Sequence, residues 1–267
     1  MKRRDFLATA CVGTVAAASL STEVFAQERP MRQFIEIRKM VVSGPDKAKK
    51  LQDFAAEFLF PRLKEAGIGP FGMAEAVPEL NGKDAAGPRE VFLFLPYKSL
   101  RDAMMLRGKL GADADLAAGF MAYKTGFSSK NPGYNSMEST LLQLFKTEPN
   151  VIIPTLSADR ILQLRYYRSF DEDRNAAKIS MFEEGGEIAL FKASGMNHVF
   201  FGEAIFGDYL PNMTYMLSFA NNEAKDLAWK TFVESDGWNK LKADPKYADT
   251  ATDILNFNLR PFEGSEI

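Results

Sequence analysis

Two distant stretches of this chain, GIGPFGMAEA (67–76) and GMNHVFFGEA (195–204), align without a gap, matching Gly67 to Gly195 and Glu75 to Glu203. Upstream of them FIEIRKM (34–40) matches ILQLRYY (161–167), which sets Arg38 against Arg165. Downstream, EVFLFL (90–95) matches MTYMLSF (213–219), and TLLQLF (140–145) matches DILNFNL (253–259). Similar segments recur in the same order, so the chain is one unit written twice, and its fold must have two similar halves.

Within each copy the hydrophobic period alternates between two and 3.6. Residues 34–42 read as a strand. SGPDKAKKLQDFAAEFLFPRL then turns helical, with Pro45 suited to the first helical position and Leu51, Phe54, Ala55, Phe58 and Leu59 on one face. Two strands follow, separated by the turn-rich NGKDAAGP (81–88), then a helical stretch over 100–123 and a closing strand at 140–146. The second copy gives strand 160–168, helix 172–184, a Gly185-Gly186 break, strands 198–206 and 213–220, helix 222–234 and strand 253–260. The unit is βαββαβ, so the fold class is α+β: two tandem ferredoxin-like repeats, at 30–148 and 160–267, joined by a linker at 149–159 that carries Pro149 and Pro154. Two four-stranded sheets with helices on one face can bring their open faces together into a barrel-type body.

ISMFEEGGEIALFKASGMNHVFFGEAIFGDYLPNMTYMLSF (179–219) and AWKTFVESDGWNKLKADPKYAD (228–249) resemble the NIPSNAP family of the dimeric α/β-barrel superfamily. The first copy is less similar and has no counterpart of Trp229 or Trp238. The resemblance implies a ferredoxin-like fold that usually assembles in pairs, hence a homo-oligomer. It implies no catalytic residues, because the family has no agreed set.

The first 26 residues read as an address. Arg3-Arg4-Asp5-Phe6-Leu7 resembles a twin-arginine export signal, a short Ala/Val/Gly-rich stretch follows, and Val24-Phe25-Ala26 offers the small residues of a cleavage site. That predicts a periplasmic or secreted protein with no membrane span after cleavage. The single cysteine, Cys11, leaves with the signal, which excludes disulfides, Cys-ligated zinc and Cys nucleophiles from the mature chain. The mature chain would carry 30 basic and 33 acidic residues, and with no basic excess nucleic acid is not an expected partner. Neither GxGxxG nor GxxxxGK[ST] occurs, and one histidine without a clustered acidic motif gives no metal site, so no cofactor is expected.

Strand alternation sorts the candidate site residues. Ile35/Ile37 and Leu162/Leu164 form apolar faces suited to packing under helices, while Glu36/Arg38 and Gln163/Arg165 share the opposite faces. In the last strand Leu255, Phe257 and Leu259 oppose Asn256, Asn258 and Arg260. This reading sends the polar stripe into a barrel interior and gathers Arg165, Glu203, Asn256, Gln163, Arg38 and Glu75 there as a candidate pocket. In strand order 4-1-3-2, Glu203 and Arg165 flank the third strand, close enough for long side chains to meet. They then form a structural ion pair, repeated by Glu75 and Arg38, or a polar anchor with Arg165 holding an anionic group. His198 sits five residues from Glu203, on the opposite face unless a bulge intervenes, and reads as a strand-entry residue, structural or solvent-exposed, rather than as an acid/base partner of Glu203. Trp229 and Trp238 suit packing of helix onto sheet, and KTGFSSKNPGYNSME (124–138) reads as surface or as a lid. Two functions remain open. One is a protein that binds a small organic molecule in a polar barrel, catalytic without a cofactor or not catalytic at all. The other is a non-catalytic interaction or assembly module.

Overall fold

A computed structural model describes residues 31–267, so the expected signal peptide and its cleavage site lie outside the described residues. Eight antiparallel strands form one closed barrel: β1 (Phe34–Val42), β2 (Gly72–Ala76), β3 (Arg89–Tyr97), β4 (Ser136–Leu144), β5 (Ile161–Arg168), β6 (Asn197–Phe206), β7 (Asn212–Phe219) and β8 (Asp253–Pro261). Their order around the barrel is β1-β3-β2-β8-β5-β7-β6-β4. Each copy therefore contributes the order 4-1-3-2, and two seams join the copies. At one, Glu75 of β2 faces Arg260 of β8; at the other, Gln143 of β4 faces Glu203 of β6. Closure leaves no unpaired strand edge.

The helices pack outside the barrel. In the first copy they are α1 (Pro45–Phe54), continued through a π-helical turn at Ala55–Leu59 into α2 (Phe60–Glu65), then α3 (Leu100–Gly111) and α4 (Ala114–Tyr123). The second copy has α5 (Glu172–Glu183), α6 (Glu187–Ala193), α7 (Asn222–Glu234) and α8 (Asp236–Lys242). The sequence fits these boundaries. Ser99, Asp113, Asp171, Asn221 and Ser235 each accept a backbone N–H in the first turn of the helix they precede. Asp113 is also why the predicted single helix over 100–123 is two, since its side chain caps a new start at Leu116 N.

The side chains divide into three apolar cores. The first draws on all eight strands: Ile35, Ile37, Ala74, Ala76, Phe92, Phe94, Leu142, Leu144, Leu162, Leu164, Tyr166, Phe200, Ala204, Met216 and Leu259 among others. Only the inside of a closed barrel lets eight strands meet, and Phe92 against Phe257 at 5.0 Å spans the two copies there. Each of the other two cores belongs mainly to one copy, with Phe262 crossing into the first and Phe145 into the second. One joins Met40, Met73, Leu93, Leu95 and Tyr97 to the first copy's helices, and the other joins Tyr167, Phe201, Tyr215 and Leu217 to the second's.

This corrects the expected facing of the strands. Ile35/Ile37 and Leu162/Leu164 point into the barrel, so its interior is packed and mainly apolar, with Thr214 and Ser218 beside Met216 and a Lys39–Glu90–Glu138 cluster toward one end, whereas the stripe carrying Arg38 and Arg165 points outward to the helix layer. The physical reason is that barrel strands are covered on both faces. The tightly packed middle of the barrel favours apolar side chains, while the outer face can hold polar groups wherever the helices leave it partly open.

Candidate functional site

Between the outer face of the first copy's sheet and its helices lies a cavity of about 580 Å³. Its floor is sheet: Arg38 and Met40 of β1, Met73 of β2, Leu93, Leu95 and Tyr97 of β3, Met137 of β4. Its roof comes from α1 through α4, including Phe54, Ala103, Leu110, Leu116 and Phe120. Such a volume, apolar with a few polar groups, has the size and character of small-molecule sites. In the helix layer that roofs it, Gly119 of α4 sits where a Cβ would be 2.2 Å from the ring of Phe58, so α4 approaches the π-helical turn with no room for a methyl group.

Exposed Arg107 and Tyr134 line the cavity, and buried polar chemistry enters it at two further places. On the floor, Arg38 binds Glu36 through two contacts, Nε to Oε1 at 2.5 Å and Nη2 to Oε2 at 3.1 Å. Tyr97 donates its hydroxyl to the same carboxylate at 2.9 Å, and Ser139 does so at 2.8 Å. Burial acts to raise the Glu36 pKa, but the hydrogen bonds and charge of Arg38, with Ser139 and Tyr97, outweigh it and hold the carboxyl below its usual range. Burial beside that anion pushes the Tyr97 hydroxyl well up, so it stays a proton donor. The second place is Tyr123. Its side chain lines the cavity and is only 7% exposed, and its hydroxyl has no hydrogen-bond partner in the protein.

The equivalent space in the second copy is filled. Strand register equates Leu93 with Tyr215, because they face Arg38 and Arg165 respectively; this shifts the sequence alignment of β3 on β7 by one residue. Tyr215, Phe182, Phe191, Phe201, Phe232 and Trp229 pack there with ring centroids 4.8 to 6.4 Å apart. Trp229 also donates its indole N–H to Gln163 at 2.6 Å.

The six expected pocket residues thus share the outward side but do not form one pocket: Arg165, Gln163 and Asn256 gather on β5 and β8, while Arg38, Glu75 and Glu203 lie apart. Arg38 alone lines the large cavity. Its expected partner Glu75 instead contacts Arg89 at 3.3 Å, near the β2–β8 seam. Glu203 is exposed and accepts from Asn175 at 3.2 Å; it does not pair with Arg165. Arg165 stacks on Trp229, Gln163 binds Trp229 and Asn258, and Asn256 is exposed opposite Arg165. The apolar run around Glu203 is explained by β6 burying both faces at Phe200 and Phe201, while Glu203 itself emerges beyond them at the open end.

A register shift between His198 and Phe200 places His198 outward after all, on the side of Phe201 and Glu203. It is buried and its Nε2 lies 3.1 Å from Glu148, not near Glu203. Desolvation outweighs Glu148 and lowers its pKa.

The sequence reading missed Glu36, Tyr97 and Tyr123 as site residues. Only Glu36 left a signal, sharing the face of Arg38; the two tyrosines read as ordinary core. No group of three potential metal ligands occurs among the described residues, and no described helix is long and apolar enough to cross a membrane.

Comparisons with known proteins place the fold. No protein family's sequence profile matches the chain, and no curated protein does. A solved structure of a candidate monooxygenase from Fusobacterium nucleatum aligns with a TM-score of 0.59 at 7% identity, covering 88% of this chain and 94% of that one. Another, from Lactobacillus acidophilus, aligns with a TM-score of 0.55 at 12% identity, covering 86% and 94%. A NIPSNAP-like domain protein from Burkholderia xenovorans matches 40% of this chain and 88% of its own, at 14% identity and a TM-score of 0.35. At these identities the likeness speaks for architecture. The chain has the dimeric α/β-barrel fold, with both halves supplied by one polypeptide.

Proposed function

We propose that the protein binds a small, largely apolar organic molecule in the first copy's cavity, between sheet and helices rather than inside the barrel. The observation that carries this is the cavity itself: about 580 Å³ walled mainly by Leu, Phe and Met, with a few polar groups, Arg38 and Tyr97 on its floor and Arg107, Tyr123 and Tyr134 around it. Arg38 is already neutralised by Glu36, so the floor offers oriented hydrogen-bond donors rather than a free positive charge. A ligand with one or two oxygen acceptors on a hydrophobic body suits that lining. The candidate monooxygenases that share the fold make oxidation without a cofactor the first reaction to test on such a ligand.

Membership of the NIPSNAP family, export by the twin-arginine route and a periplasmic or secreted location belong to the same proposal and rest on the sequence. So does a homo-oligomer. The barrel closes within one chain, so a second copy is not needed to build it; the exposed Met104, Met105, Phe120 and Met121 of α3 and α4 are what a second copy could cover.

The test is native mass spectrometry of protein purified gently from its own host, beside an Ala103→Phe variant that fills the cavity. A stoichiometric extra mass in the parent, absent from a folded variant, is the expected result. Equal retention by both would place the ligand elsewhere, and no extra mass together with no binding of an apolar fluorescent probe would overturn the reading.

A further inference from the structure

The duplication sets up a controlled comparison of two arginines. Arg38 and Arg165 occupy the same place in their copies, at the middle of the first strand, facing the outer side. Arg38 is paired with Glu36 two residues before it. At the matching place before Arg165 the second copy has Gln163, and its amide is already engaged by Trp229 and Asn258. The carboxylate is gone while the guanidinium remains.

Nothing else among the described residues replaces that carboxylate. Arg165 makes no ion pair, and its Nε is buried without a hydrogen-bond partner. Its one acidic neighbour of electrostatic consequence is Glu187, which is buried and bound to Lys178 at 3.2 Å. Whether that pair is ionised or has exchanged its proton, it sums to zero, so the Arg165 charge is uncompensated. The guanidinium is nevertheless held in place. Its Cζ lies 4.5 Å from the Trp229 ring and 5.4 Å from Tyr167, which clamp its position and leave its donors unused. Across the strand pair stands Asn256, exposed and able to supply a further side-chain donor.

We propose that Arg165 is the anchor of a second ligand site, on the outer face of β5 and β8, that takes the carboxylate group of a small organic anion. A planar guanidinium fork matches a carboxylate bidentately, and a fork fixed beforehand by stacking has little orientational freedom left to lose. The site is separate from the first copy's cavity, where the corresponding arginine already holds its carboxylate within the chain. The two arginines thus do the same chemistry, one with Glu36 and one with a carboxylate from outside.

Trp229 reports on the site directly. In a Trp238→Phe background it is the only tryptophan, and its emission is read while acetate or benzoate is titrated at constant ionic strength against chloride. A saturable change is expected, lost in Arg165→Met and unaltered in Arg101→Met, at an exposed arginine of α3. Arg165→Lys keeps the charge without the fork and is expected to weaken binding by roughly tenfold or more. The ¹H–¹⁵N signal of the Arg165 Nε–H in the parent protein gives an independent reading, so the idea survives a variant that does not fold. It is overturned if the emission follows chloride alone, if Arg165→Met responds like the parent, or if the Nε–H signal stays fixed throughout. Saturation by inorganic phosphate but not by carboxylates would also overturn the carboxylate assignment.

Discussion

Tyr123→Phe is expected to make the ligand-free protein more stable while weakening the ligand. The Tyr123 ring is packed against Phe54 at 5.2 Å and Phe127 at 5.1 Å, and phenylalanine keeps that ring and both contacts. Only the hydroxyl is lost, and it is buried with no partner in the protein. Burying a polar group unsatisfied costs about 1–3 kcal/mol, so removing it returns part of that cost with no cavity created. A gain of about 1 kcal/mol moves Tm upward by roughly 2–4 °C for a chain of this size. Tyr134→Phe is the control, because Tyr134 lines the same cavity but is 42% exposed and already reaches water; its change should stay within about 0.5 kcal/mol. The assay is thermal unfolding with and without the bound molecule. With ligand the order should invert, since losing a hydrogen bond to the ligand costs affinity by about tenfold. A Tyr123→Phe protein that melts below the parent without ligand would refute the reasoning, because the hydroxyl would then have a stabilising partner within the fold.

Three further outcomes follow from the same structure. Glu36 has a lowered pKa in the fold, so its contribution is complete above the ordinary value of 4.5 and disappears as pH falls through the folded value; denaturant unfolding across that window should show an acid loss that Glu36→Gln flattens. Gly119→Ala should destabilise by about 1–3 kcal/mol, read by chemical denaturation, because the new Cβ would meet the Phe58 ring at 2.2 Å. Lys178→Met alone should cost about 3–5 kcal/mol by leaving Glu187 buried and unpaired, whereas Lys178→Met with Glu187→Leu should recover most of it in a double-mutant cycle.

The topology was legible in the sequence because period-2 and period-3.6 patterns recur in the same order twice. That recurrence matched Arg38 to Arg165 and Glu75 to Glu203, and strand register agrees with both matches. Alternation also told correctly which of the first-strand residues share a face, but not His198, which the irregularity before Phe200 turns to the side of Glu203. It could not tell which face turns inward, since Ile35/Ile37 would be equally at home under a helix or inside a barrel. The choice depends on closure through β2–β8 and β4–β6, which no local pattern encodes. The cavity was illegible for a different reason. It is an absence, and Leu93, Leu95 and Phe54 read like any other core residues whether or not something fills the space between them. The one visible clue was comparative: the first copy has nothing in the place of Trp229.

That missing tryptophan connects stability to function across the two copies. An empty volume lined by apolar side chains forfeits contacts, at about 24 cal/mol for each Å³ left behind when core atoms are removed. A single unit of this fold that kept such a volume would have to offset the loss within a small core. Duplication spreads it over a larger one. The second copy replaces Leu93 by Tyr215 and adds Trp229, Phe191 and Phe232, so its helix layer is locked by aromatic contacts. Both copies are then fused through two strand seams and a common interior in which Phe92 meets Phe257 and Phe94 meets Phe200. Loosening one half therefore strains a core that the other half holds rigid. On this physics the hollow half tolerates its cavity, its unpartnered Tyr123 and its close Gly119 contact because the filled half is covalently and sterically bound to it. Trp229→Ala should thus lower the stability of the whole barrel, including the first copy's cavity, in one cooperative transition.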